Sequence, residues 1–304
     1  MCIRFLKTLD EVMIDRMLPK FVRKNTDYLL IALLSSSVFF ISIESEYGTL
    51  SRLWEGYQNG FQLTSIDALE YDPETNWWTL FHHSVGSYIG MMIWGTNLFQ
   101  LLLPLFITIV GINIYLKKNN EYFFERYRYD RHSKFMLKKN IGESLKVSAA
   151  IFLGYLLFYI FTFFVGSKVT IDDMQFGVPV KLFIEWLPKD FFLNHCRLYH
   201  LLWGIFVFFI VPLIYGVAYG FVVPYLRNLP MASIAFTIYF IAFSIASALF
   251  IPNDSVFRYM FDPSAVIVSG AYSYPNTLMY LSSLMVPIIT AVVLYFISCR
   301  RYEV

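Results

Sequence analysis

His82 and His83 are neighbours, and paired imidazoles are a frequent source of metal ligands. Adjacent side chains on a helix diverge by about 100°, however, and no HExxH or HxxxH spacing accompanies them. No metal site is therefore expected there. The serines of "GESLK" (142–146) and "HSVGS" (83–87) lack a GxSxG elbow or any triad context, so nucleophilic catalysis has no candidate. No GxxxxGK[ST] loop is present, and any ATP must be held by another chain. Cys2, Cys196 and Cys299 are too scattered to form a metal-like cluster.

Polarity inside apolar runs is more informative. Asn97, Gln100, Thr108 and Gly111 follow helical spacing, with Pro104 on the same face to bend the helix. Ser233, Thr237, Ser244 and Ser247 do the same further along. Two explanations stand side by side. Small and hydroxylated residues let membrane helices approach and hydrogen-bond; the same stripe would also line a translocation path or a dimer interface.

The elements that must position these residues follow from composition. The chain is 57% hydrophobic, 19% aromatic and 15% charged, against about 25% charged residues in an ordinary soluble domain. An all-α, multi-pass protein of a cell membrane, built as one domain over residues 1–304, is the expectation. Runs long enough to span a bilayer occur at 28–44, 91–116, 145–166, 198–225, 232–252 and 277–299, giving six spans. With both termini inside, residues 1–27, 117–146, Arg227, Arg300 and Arg301 hold 18 of the 24 Lys and Arg. Only Arg52, Lys168, Lys181, Lys189, Arg197 and Arg258 are left outside, which favours the N-in, C-in orientation. In that orientation Cys196 lies outside and Cys2 and Cys299 inside, so no internal disulfide is expected.

The span interiors carry no Asp, Glu, Lys or Arg, which argues against a membrane-embedded enzyme or an ion-coupled transporter. Lys146 and His200 fall at span ends, within reach of the interface. At the N-terminus, Leu6, Leu9, Met13, Met17 and Phe21 share a face largely apart from Lys7, Arg16, Lys20, Arg23 and Lys24. Residues 1–27 thus read as an interfacial amphipathic helix on the cytosolic side. The outer segment "TNWWTLFHHSVGSY" reads as lying on the outer leaflet, since tryptophan and tyrosine favour the headgroup layer.

The largest inside segment, 117–146, mixes Tyr122, Phe123, Phe124, Tyr127 and Tyr129 with Arg126, Arg128 and Arg131. Its charge suits docking on a complementary protein surface. A positive-inside anchor on anionic lipid would also use it. A loop tethered beside a membrane does not suit nucleic acid.

An amphipathic N-terminal helix, six spans, one large basic inner loop, the short "RNLPM" connection and the "CRRYEV" tail together resemble the permease subunit of an ABC-2 type exporter. The likeness covers nearly the whole chain. The loop departs from the family pattern of an acidic residue followed by Gly-Thr and a Pro, offering Glu121, Glu125 and the later "IGESLK". The resemblance implies that 1–24 is a connecting helix and that 121–143 contains a coupling helix contacting an ATP-binding cassette subunit, through Glu121, Glu125, Arg126, Arg128 and Arg131. It also implies that spans two and five face a second permease copy where cargo passes, and that 253–276 forms short outer helices. ATP and Mg would sit on the partner, and the cargo would be amphipathic, a peptide or a lipid. A membrane immunity or scaffold protein is the alternative.

Overall fold

The computed structural model describes residues 26–60, 81–82, 85–120, 132–167, 186–188, 191–252, 255–265 and 277–303. Among these the chain is nearly all helical and contains no strand. The helices are α1 (Thr26–Tyr47), α2 (Thr49–Asn59), α3 (Tyr88–Asn120), α4 (His132–Val165), α5 (Phe191–Ile205), α6 (Val211–Val222), α7 (Leu229–Phe250), α8 (Val256–Phe261), α9 (Thr277–Ser282) and α10 (Met285–Glu303). The expected amphipathic helix at 1–27 lies outside the described residues except for its last two positions.

Five stretches are long and apolar enough to cross a membrane: Thr26–Tyr47, Lys134–Val165, Asn194–Tyr225, Leu229–Phe250 and Thr277–Arg300. α3 adds a sixth if its two limbs, Tyr88–Phe99 and Leu101–Leu116, count as one crossing; they meet at 49°. The cause is Pro104. Its ring crowds the carbonyl four residues earlier and it has no N–H to bond there, so the helix opens around residue 100. An apolar run in lipid must bond its own backbone internally, which is why each run becomes a helix.

The helices overrun the apolar runs. α4 begins at His132, and its 34 residues extend for about 51 Å at ~1.5 Å per residue, whereas the hydrocarbon core is about 30 Å thick. α4 is therefore longer than one upright crossing requires. Of the segment 117–146, expected on the inner side, residues 117–120 finish α3 and 132–146 start α4, leaving 121–131 outside the described residues. The run at 198–225 is likewise part of a longer rod that starts at Phe191, passes a π-helical turn at Phe206–Ile210 and continues as α6. That turn directly precedes Pro212, where wider hydrogen bonding accommodates a residue without an N–H.

Local signals set other ends. Asn228 accepts a hydrogen bond from the Met231 amide at 3.0 Å, and Pro230 occupies the first turn of α7. In the segment 253–276, expected to form short outer helices, helix α8 is capped by Ser255 and ends at Asp262, which accepts from Ser264 N and Oγ at 2.9 and 2.6 Å.

α1 packs on α3 and α4, α4 on α6, α7 on α3, and α10 on α4 and α6. At the centre, fully buried Phe39 stacks on Phe99 with centroids 4.4 Å apart. It also meets Phe158 at 5.3 Å and the edge of Phe208 at 5.2 Å. Glycines let backbones close in around this cluster: a Cβ on Gly154 of α4 would lie 2.8 Å from both the Ala32 carbonyl oxygen and the Ser36 amide of α1.

Candidate functional site

The stripe on α3 divides at the bend. Asn97 is half-buried on the first limb, and Gln100 stands at the bend itself, with its side chain outside the described set. Thr108 is buried and donates its hydroxyl to the Leu105 carbonyl at 2.6 Å. Gly111 faces Tyr219 of α6, where a Cβ would sit 2.2 Å from a ring carbon. Thr108 and Gly111 thus serve close packing in this structure.

On α7, Ser233 and Ser247 return their hydroxyls to the carbonyls of Pro230 and Ser244, at 2.8 and 2.9 Å. Thr237 and Ser244 differ: their hydroxyl oxygens are buried and find no hydrogen-bond partner among the described residues. Glu121, Glu125, Arg126, Arg128 and Arg131, expected to contact a partner, lie outside the described residues.

A polar seam on α4, absent from the sequence-based expectations, is the more unusual arrangement. Asn140, Ser144 and Ser148 recur every fourth residue on α4 and are fully or almost fully buried. Opposite them on α6 are Gly216 and Gly220, whose Cβ atoms would approach Ser144 Oγ and Asn140 Cγ to 2.9 Å. Both amide atoms of Asn140 and the hydroxyls of Ser144 and Ser148 lack hydrogen-bond partners among the described residues. Each such group costs roughly 1–3 kcal/mol when kept from water, so the seam stores uncompensated polarity along the α4–α6 contact.

Beside the seam, Glu143 is buried yet satisfied. Tyr28 of α1 donates to Oε2 at 2.7 Å, and half-exposed Lys146 reaches Oε1 at 3.2 Å. The Lys146 ammonium also lies 5.4 Å from the Tyr28 ring centre. A carboxylate thus ties α1 to α4 at the end nearest the basic segment. Two signals in the sequence mark this region: the Asn140-x3-Ser144-x3-Ser148 spacing and the Gly216-x3-Gly220 pair, a small-residue pattern that brings membrane helices together.

A second cluster gathers near the other end of α4 and α5. His200 is buried rather than placed at a span end, because the helix carrying it begins nine residues earlier, at Phe191. Its Nδ1 lies 2.9 Å from the Cys196 carbonyl, which can only accept, so Nδ1 carries the ring proton. Cys196 Sγ is 3.5 Å from that nitrogen, but the proton is directed at the carbonyl and the pair is not poised as thiol and base. Tyr155 and Tyr159 donate to the carbonyls of His200 and Arg197 at 2.7 and 2.9 Å. The Arg197 guanidinium lies over Phe163 at 4.4 Å.

His82 has a structural partner too. Its Nδ1 lies 2.8 Å from the Val165 carbonyl, tying the approach to α3 to the end of α4. Gly86 follows at φ 118°, a conformation open to glycine, and the Ser87 amide donates to Tyr47 at 3.0 Å. His83 lies outside the described residues.

No protein-family model, curated protein or solved structure matches the chain.

Proposed function

We propose that this chain is the permease subunit of an ATP-driven exporter, two copies of which work with a separate ATP-binding subunit to move an amphipathic cargo across a cell membrane. The observation that carries this reading is α4. One unbroken helix runs from the basic segment into the helical core, where its polar face meets two glycines of α6. An ATPase that closes on ATP and pushes on residues 121–131 would displace a stiff rod whose inner contact has small, weakly engaged side chains. The positive charge of Arg126, Arg128 and Arg131 supplies the docking complement.

In this reading α3 is a single bent crossing, giving six spans with both termini in the cytosol, and the N-terminal 24 residues connect to the ATPase. The second copy docks against α7, whose surface is sparsely covered and presents Ile234, Ile238, Ile241 and Ile245. ATP and Mg bind the partner, and the cargo is a peptide or a lipid.

The test is co-expression with ATP-binding-cassette subunits encoded beside this chain, followed by purification in detergent. The wild-type chain should bring down an ATPase, and Arg126→Glu, Arg128→Glu, Arg131→Glu together should release it, because like charges set against a complementary surface cost several kcal/mol. Retention of the ATPase by the triple variant would assign those arginines to orienting the chain in the membrane. Absence of any ATPase from the wild-type preparation would favour an immunity or scaffold role.

A further inference from the structure

We infer that the flank of α1 near its C-terminal end is a lipid site, taking one acyl chain of a phospholipid whose headgroup bears an amine. This inference is independent of the transport reading. A groove of about 510 Å³ runs along α1 past Leu33, Ser37, Phe40, Ile41 and Ser45 and is closed at one end by Leu50 of α2. That volume lies within the ~300–1,000 Å³ typical of ligand sites.

Three features select the occupant. First, the groove follows α1 from Leu33 to Glu44, about 16 Å at ~1.5 Å per residue, which matches one leaflet of a hydrocarbon core ~30 Å thick. Second, two of its three lining serines, Ser37 and Ser45, make no demand on a ligand. Ser37 Oγ donates to the Leu33 carbonyl at 2.8 Å and Ser45 Oγ to the Ser42 carbonyl at 3.1 Å, so the wall presents hydrocarbon and ring surface. An acyl chain fits such a wall, and a polar cargo does not.

Third, the mouth has the form of a headgroup site. Gly48, at φ 66°, turns the chain from α1 into α2. The Glu44 carboxylate accepts from the amides of Leu50 and Ser51 at 2.8 and 3.2 Å and from the Ser51 hydroxyl, fixing α2 across the groove end. α2 is amphipathic, and its exposed Trp54 and Tyr57 suit the headgroup layer. Glu44 lines the mouth, and the charged residues of the stretch 44–59 are Glu44, Glu46 and Glu55 against Arg52, whose guanidinium lies over the Tyr47 ring at 5.0 Å. Acidic groups outnumber basic ones there, which favours an ethanolamine headgroup and disfavours an anionic glycerol headgroup.

The test uses the full chain in nanodiscs containing phosphatidylethanolamine with a diazirine in its acyl chain, with adducts mapped by mass spectrometry. Residues 33–50 should label strongly, and Ser37→Trp, which fills the groove, should cut that label about tenfold, equivalent to about 1.4 kcal/mol of binding. Ile241→Trp on α7 should leave it unchanged. Phosphatidylglycerol with the same diazirine should label this segment less. Leu50→Trp, at the groove end, provides a second block should Ser37→Trp fail to fold. Equal labelling of 33–50 in the filled and unfilled chains, or equal labelling by the two headgroups, would overturn the inference. So would a photocrosslinker at Ser45 that reacts with residues 61–80 of the same chain, since the protein itself would then occupy the groove.

Discussion

The apolar stretches Thr26–Tyr47, Lys134–Val165 and Asn194–Tyr225 differ sharply from Leu229–Phe250 and Thr277–Arg300 in how much of their surface the protein itself covers. In the most apolar stretch of the first group, 39%, 50% and 50% of residues are buried, against 17% and 22% in the second. The first group is locked by interleaved rings around Phe39 and by glycines that admit a neighbouring backbone. The second turns large side chains such as Ile238, Ile241, Phe243, Val292 and Phe296 outward. Hydropathy is similar in both groups, from 1.8 to 2.4. An apolar span can therefore be a core element or a wall for lipid and partner chains, and ring and glycine placement decides which.

The largest expected effect separates the two groups directly. Phe39→Ala empties the centre of the ring cluster and should cost about 3–5 kcal/mol, read as a fall in Tm in detergent. Phe243→Ala, on the exposed side of α7, should cost less than about 0.5 kcal/mol. Similar losses from both would break the contrast.

Next comes the tie between α1 and α4. Tyr28→Phe removes a donor from buried Glu143, where a hydrogen bond to a charged group contributes about 1.5–3 kcal/mol. Lys146→Met should cost no more than about 0.5–1 kcal/mol, because the ammonium is half exposed and solvent screens the pair. A double-mutant cycle between Tyr28 and Glu143 would show the coupling.

Glycine substitutions sharpen the picture on a single helix. Gly154→Ala would drive a methyl against the α1 backbone and should cost about 1–3 kcal/mol. Gly142, twelve positions before it on the same helix, meets open space, so Gly142→Ala should stabilise α4 by about 0.5–1 kcal/mol. The smallest effect is predicted at the seam. Asn140→Leu replaces an unpartnered amide with a side chain of similar size, and Tm should stay level or rise. A marked fall would show that Asn140 has a polar partner in the working protein.

Most of the helical framework was legible because each apolar run is long and bounded by charge or proline. Pro104 foretold the bend in α3, whereas "RNLPM", expected as a connection ahead of a run at 232–252, already holds the first residues of α7, which starts at Leu229. The overruns were not legible: residues 132–144 and 191–197 are polar or mixed, yet they continue helices whose ends tertiary packing sets. That is why His200 and Glu143, expected at an edge or in a loop, are buried. The Tyr28–Glu143 contact joins residues 115 apart in sequence, and no local pattern announces it. The Asn140–Ser144–Ser148 spacing was visible, but only the glycines across from it reveal its significance.

The central proposal, that the sparsely covered wall of α7 receives a second copy of this chain, is most directly tested by disulfide trapping in native membranes. With Cys2, Cys196 and Cys299 replaced, Ile238→Cys and Ile241→Cys on α7 and Leu157→Cys and Ile160→Cys on α4 would be oxidised one at a time. All four side chains are exposed in the single chain. The account predicts a species of twice the chain's mass from the α7 positions and monomer from the α4 positions. Monomer from all four, or equal trapping on both helices, would contradict it.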